Sequence, residues 1–192
     1  LQTVLPAGLG KNRRALQHKI VVGPKKRVAE PLNLEQKNAI KLISHSKSIT
    51  HMLYGVTGSG KTRVYQELAK EQLKKQKSVL ILVPEIALTP QLAIEFEQLH
   101  NNVLVLHSGL SEAQRHLNWQ LLRNSSEPWI IVGPRSALFS PLKNFGLIVV
   151  DECHEPSYQQ DSQPKYSALR VARKLAGLMD DATLVLGSAT PL

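Results

Sequence analysis

Cysteine is almost missing from this chain. Cys153 is the only one, which excludes an internal disulfide and any cysteine-rich zinc site and fits a reducing cytoplasm. Long apolar runs are missing too: none approaches the ~20 residues of a membrane-spanning helix, and the N-terminal stretch lacks a signal peptide's apolar core. Acidic residues are scarce, 15 against 24 Lys and Arg, leaving a net charge of +9. That excess favours a polyanionic partner, nucleic acid first, through counterion release at phosphates; a merely basic, solvated surface is the other reading. The chain opens on Leu1 rather than methionine and stops two residues after its last motif, so a piece of a longer protein is expected.

What is present is enough for one sizeable domain: 192 residues, 42% hydrophobic and 20% charged, too short for two full domains. Residues 1–31 carry Lys11, Arg13, Arg14, Lys19, Lys25, Lys26 and Arg27 without a clear period. They read as a basic linker or the remnant of a preceding DNA-binding region, touching phosphates or simply solvated. From Leu32 the pattern tightens into a single domain, residues 32–192. Apolar runs at Met52–Tyr54, Val79–Val83, Val103–Leu106, Trp129–Val132, Leu147–Val150 and Thr183–Leu186 suit strands buried on both faces. Helical stretches lie between them. Asn33 can cap the first, Thr89–Pro90 reads as a cap with a first-turn proline, and Ser111 with Gln114 has capping-box spacing. A last helix is expected over Tyr166–Met179. This alternation predicts an α/β fold, a doubly wound, mainly parallel sheet with helices on both faces.

The first chemical motif is Gly55-Val56-Thr57-Gly58-Ser59-Gly60-Lys61-Thr62, which matches G-x-x-x-x-G-K-[ST] at every fixed position, between an apolar strand and a helix. Glycines let the backbone fold tightly so that successive N–H groups face phosphates at a helix N-terminus. In such a P-loop Lys61 reaches the β and γ phosphates of ATP, and the Thr62 hydroxyl ligates Mg²⁺. The second motif is an apolar strand ending in Asp151-Glu152-Cys153-His154. It delivers two carboxylates at the sheet's carboxyl edge, where α/β proteins bind ligands. Asp151 would hold Mg²⁺ through its water shell, and Glu152 would deprotonate the attacking water.

Asp151–His154 is a D-E-x-H box, and Gly187-Ser188-Ala189-Thr190 resembles the S-A-T motif of the same helicase superfamily. The resemblance implies a RecA-like ATP-binding lobe in which His154, Ser188 and Thr190 couple the γ-phosphate site to nucleic acid. Four further strings resemble the primosomal protein N′ (PriA) family of bacterial replication-restart DNA helicases: Leu32–Gln36, Val83–Gln91, Leu106–Ser111 and Gly133–Phe139. The likeness covers residues 32–192. It implies an ATP-driven 3′–5′ DNA helicase of the bacterial cytoplasm acting in primosome assembly, with forked or single-stranded DNA, primosome proteins and single-strand-binding protein as partners. By position Gln36 would contact adenine, or serve only as a cap. Thr89, Gln91 and Arg135 would lie near DNA, although Thr89 also fits an N-cap and Arg135 an ordinary surface arginine. Tyr158 and Tyr166 fall in the family's aromatic-rich loop, where they would stack on bases or pack on the domain.

The chain departs from the family at Arg63 (usually Glu), Cys153 (usually Glu), Pro134 (usually Thr) and in Tyr166-Ser167-Ala168-Leu169-Arg170 (usually Y-H-A-R-D). It has no counterpart of the second RecA-like lobe with its arginine finger, nor of the zinc-binding insert. An arginine finger is worth about 10³–10⁵ in rate, so the isolated chain is expected to bind ATP·Mg²⁺ and hydrolyse it poorly. Two other readings stand beside this one: a lobe of another D-E-x-H translocase (restriction-system or RNA helicase), and a nucleotide- or nucleic-acid-binding module without turnover.

Overall fold

Side chains on β2 (Ser78–Leu82) show how the architecture follows from the sequence. Leu80 and Leu82 point to one core and Val79 and Ile81 to another, all at most 1% exposed. Four successive apolar positions, Val79–Leu82, need cover on both faces. The computed structural model describes residues 31–190, so the basic segment read at 1–31 lies, save Pro31, outside the described residues.

Six strands form one sheet: β1 (Thr50–Tyr54), β2, β3 (Val103–Val105), β4 (Ile130–Gly133), β5 (Phe145–Val150) and β8 (Thr183–Ser188). Their order is β1-β8-β5-β2-β4-β3, with every pair parallel. One face is covered by α1 (Leu34–His45), α2 (Lys61–Lys74) and α3 (Pro90–Glu97), which contribute Ile43, Val64, Leu68, Leu73 and Phe96 to a core with Val79 and Ile81. The other face carries α4 (Glu112–Asn124) and α5 (Ala168–Gly177), which set Leu122, Ala168, Ala172 and Ala176 against Leu80, Leu82 and Ile148. Alanines at fourth positions bring α5 close to the sheet. Each fully buried aliphatic side chain contributes about 1.5–3 kcal/mol.

The helix starts follow the local signals. Asn33 and Gln36 form a reciprocal capping box at 2.8 and 3.0 Å, as do Ser111 and Gln114 at 3.3 and 2.9 Å. Thr89 Oγ1 accepts from Leu92 N at 3.2 Å ahead of Pro90. The last helix is shorter than expected, because Tyr166–Ser167 (β7) pairs antiparallel with Gln159–Gln160 (β6) before α5 begins. No helix among the described residues is long and apolar enough to cross a membrane.

All six strands of the sheet are parallel, so their carboxyl ends share one edge. Adjacency of β1, β8 and β5 places three loops side by side there. Gly55 N donates to Ser188 O at 3.1 Å, Cys153 N to Gly187 O at 2.8 Å, and Asp151 N to Leu82 O at 2.9 Å.

Candidate nucleotide site

The loop after β1 turns on two glycines. Gly58 and Gly60 hold φ of 80° and 82°, the left-handed region that glycine enters at little cost. Gly60 also packs against Gln36: a Cβ there would lie 2.3 Å from Gln36 Nε2. Thr57, Gly58 and Ser59 remain exposed, Thr62 is half-buried, and Lys61 is 9% exposed at the first turn of α2. Lys61 Nζ donates to Gly55 O at 2.8 Å and pairs with Glu152 Oε1 at 3.2 Å. The ammonium thus bridges the loop and the D-E-x-H box.

Glu152 adopts φ 45°, a conformation that costs a non-glycine residue about 1–3 kcal/mol. The turn directs its carboxylate back across the sheet edge, where Oε2 accepts from Ala189 N at 3.2 Å and lies 3.7 Å from His154 Nδ1. His154 Nδ1 shares a 3.0 Å hydrogen bond with Ser188 Oγ, which donates to Thr190 O at 2.6 Å. Lys61, Glu152, His154, Ser188 and Thr190 form one connected network.

Asp151 is held separately. Tyr65 Oη on α2 donates to its Oδ1 at 2.8 Å, and Tyr158 Oη donates to its main-chain oxygen at 2.6 Å. Burial pushes the Asp151 carboxyl above its ordinary range, and the Tyr65 hydrogen bond opposes that shift. Burial raises both phenols, then the nearby Asp151 charge raises them further, so both stay protonated donors. The Cys153 thiol is likewise raised by burial. Among the described residues no group of three or more His, Cys, Asp or Glu side chains is placed to hold a metal ion. A cation at Asp151 and Thr62 would therefore complete its shell from phosphates and water, the way Mg²⁺ binds with nucleotides.

Gln36 serves two ends: its Oε1 closes the capping box, while Nε2 donates to Ser59 O at 3.2 Å. Thr89 and Gln91 follow β2 and Arg135 follows β4, on the far side of β5 from Gly55. Thr89 is an N-cap, and Gln91 reaches Glu95 at 3.4 Å. Arg135 donates to Ser157 O at 2.6 Å and Gln160 Oε1 at 2.8 Å, pinning the loop beyond the D-E-x-H box. Tyr166 is half-buried, edge-on to Phe139 at 5.3 Å. Tyr158 departs from the base-stacking expectation. It is 1% exposed with its hydroxyl on Asp151, so neither ring face is open to a base. Arg63, where the family usually has Glu, folds along α2 to Gln66 at 2.9 Å and Glu67 at 3.6 Å.

Gly187 and Tyr65 lie at the edges of motif strings, and neither has a role assigned from the sequence. A Cβ at Gly187 would lie 1.8 Å from Tyr65 Oη and 3.0 Å from Asp151 Oδ1. Gly187→Ala is therefore expected to cost about 1–3 kcal/mol by overpacking, seen as a drop of several degrees in thermal unfolding. A variant melting with the parent chain would show that Tyr65 has room to move.

The sheet, loop and carboxylates together define a RecA-like P-loop nucleotide-binding lobe. Residues 33–192 match the DEAD/DEAH box helicase family, and the chain belongs to that family. Among curated proteins it is similar to replication restart protein PriA of Chlamydia pneumoniae, 48% identical over 166 residues, covering 83% of this chain and 22% of that protein. The protein of that name from Bacillus subtilis is 43% identical over 166 residues, covering 84% and 20%. That of Synechocystis is 48% identical over 142 residues, covering 73% and 17%. The chain spans roughly a fifth of the length of these relatives.

Proposed function

We propose that this chain is the ATP-binding motor lobe of a DNA helicase that couples ATP hydrolysis to 3′–5′ movement on DNA in replication restart. The observation that carries the reading is the network from Lys61 through Glu152 to Ala189, Ser188 and His154. It joins the P-loop to the D-E-x-H and S-A-T loops within hydrogen-bonding reach. Similarity to replication restart proteins supplies the biological setting.

ATP brings the γ-phosphoryl group, and Mg²⁺ neutralises its charge. The chain's own residues bind, orient and take a proton. Loop amides and Lys61 would grip the phosphates, with Lys61 exchanging Gly55 O and Glu152 for phosphate oxygens. Released from that pair, Glu152 Oε1 can accept a proton from water. Asp151 and Thr62 would hold the cation. His154, Ser188 and Thr190 adjoin this centre at the β5 and β8 ends, and the β2 and β4 loops lie beyond β5; Thr89, Gln91, Arg135 and Tyr166 would meet DNA. The second lobe that such motors use would supply the transition-state arginine; primosome proteins and single-strand-binding protein are the further partners.

Titration with a fluorescent ATP analogue and a phosphate-release assay test the reading. The chain alone should bind ATP·Mg²⁺ and turn it over about 10³–10⁵-fold more slowly than the complete protein with single-stranded DNA. Strand displacement should favour the substrate that loads the motor for 3′–5′ travel. Absence of nucleotide binding, or rapid DNA-stimulated turnover by the chain alone, would overturn the assignment.

A further inference from the structure

Two buried phenols hold one aspartate, by side chain and by main chain, and nothing in the nucleotide chemistry above uses either. Tyr65 lies one helical turn beyond Lys61 on α2 and is 1% exposed. Its hydroxyl reaches Asp151 Oδ1 across 86 residues of sequence. The path runs over Gly187 of β8, where any side chain would collide with the phenol oxygen. On the opposite face Tyr158 holds the main chain of the same residue. Asp151 is thus fixed by side chain from the α2 face and by backbone from the α5 face. An aspartate at an open strand end would otherwise sample several rotamers.

We infer that Tyr65 is a positioning residue: its hydroxyl sets the orientation of the Asp151 carboxylate, and through it the hold on the divalent cation that accompanies ATP. The inference rests on the nucleotide-binding reading above. Lys61 and Tyr65 share one helix, so the phosphate-gripping ammonium and the carboxylate's anchor move as a unit. Groups that orient a metal ligand typically change metal affinity by about 10–100-fold when removed. Tyr65→Phe deletes only the hydroxyl and keeps the buried ring.

The complete protein carrying Tyr65→Phe tests this, with a fluorescent ATP analogue titrated in EDTA and then across a Mg²⁺ series. The variant should bind metal-free nucleotide as the parent does, while the Mg²⁺ concentration giving half of the metal-dependent gain rises about 10–100-fold. Asp151→Asn should remove the Mg²⁺ effect, and Tyr65→Phe should add nothing in that background. An unchanged Mg²⁺ half-point, or an additive loss in the double variant, overturns the inference. Should Tyr65→Phe alone fail to fold, the double variant, relieved of the buried charge, should fold. A double variant that also fails assigns the hydroxyl to packing and overturns it equally. A parent protein without nucleotide binding or Mg²⁺ dependence sinks the nucleotide reading itself, before any variant is compared.

Discussion

Lys61→Ala is expected to abolish nucleotide binding. Lys61 is 9% exposed at the start of α2, where the loop amides and the helix N-terminus converge. A triphosphate docking there without it would leave phosphate charge facing Glu152 with no cation between them. Leaving a buried charge without its partner costs about 3–5 kcal/mol, at least a hundredfold in affinity. Calorimetric titration with ATP·Mg²⁺ reads the loss directly. An affinity within threefold of the parent's would mean that the phosphates lie elsewhere.

Glu152→Gln should separate binding from chemistry. Glutamine is close in size and can still accept from Ala189 N through its amide oxygen, so the link between the D-E-x-H and S-A-T loops survives. What disappears is the negative charge that holds Lys61 and the basicity that takes a proton from water. Nucleotide affinity should be retained, since Lys61 no longer has to leave an anion. Single-turnover phosphate release by the complete protein with DNA should fall about 10²–10⁴-fold, the usual contribution of a general base. Unaltered release would place the base at another residue.

Much of this arrangement was legible in the sequence because it is local. Runs such as Val79–Val83 and Leu147–Val150 are apolar at every position, which only a strand covered on both faces requires. The caps at Asn33, Thr89 and Ser111 are signalled by residues within one turn of the helix they start. The P-loop, the D-E-x-H box and the S-A-T motif are likewise contiguous strings. What stayed hidden depends on which face meets which. Tyr65 looks like an ordinary core position of α2 until β8 and β5 are set side by side beneath it. Tyr158 falls in a loop whose aromatics would stack on bases or pack on the domain, and a short 3-10 turn at Pro156–Tyr158 decides for packing by tucking it under Asp151. Gln36 carried two readings, adenine contact or cap; the structure has the cap at one amide end, with the other end on the P-loop at Ser59 O.

Strand order carries a consequence for how the protein is made. Among the described residues β1 has β8 as its one neighbour, Thr50 beside Leu184 and Tyr54 beside Ser188. β2, β3, β4 and β5 pair with one another using earlier stretches of chain. On the ribosome, four strands can therefore assemble while the strand that carries the phosphate loop waits without a partner. Joining it demands a closure across most of the chain, entropically costly and slow. Within this sheet, the strand that carries the phosphate loop gains its neighbour only once β8 has been made.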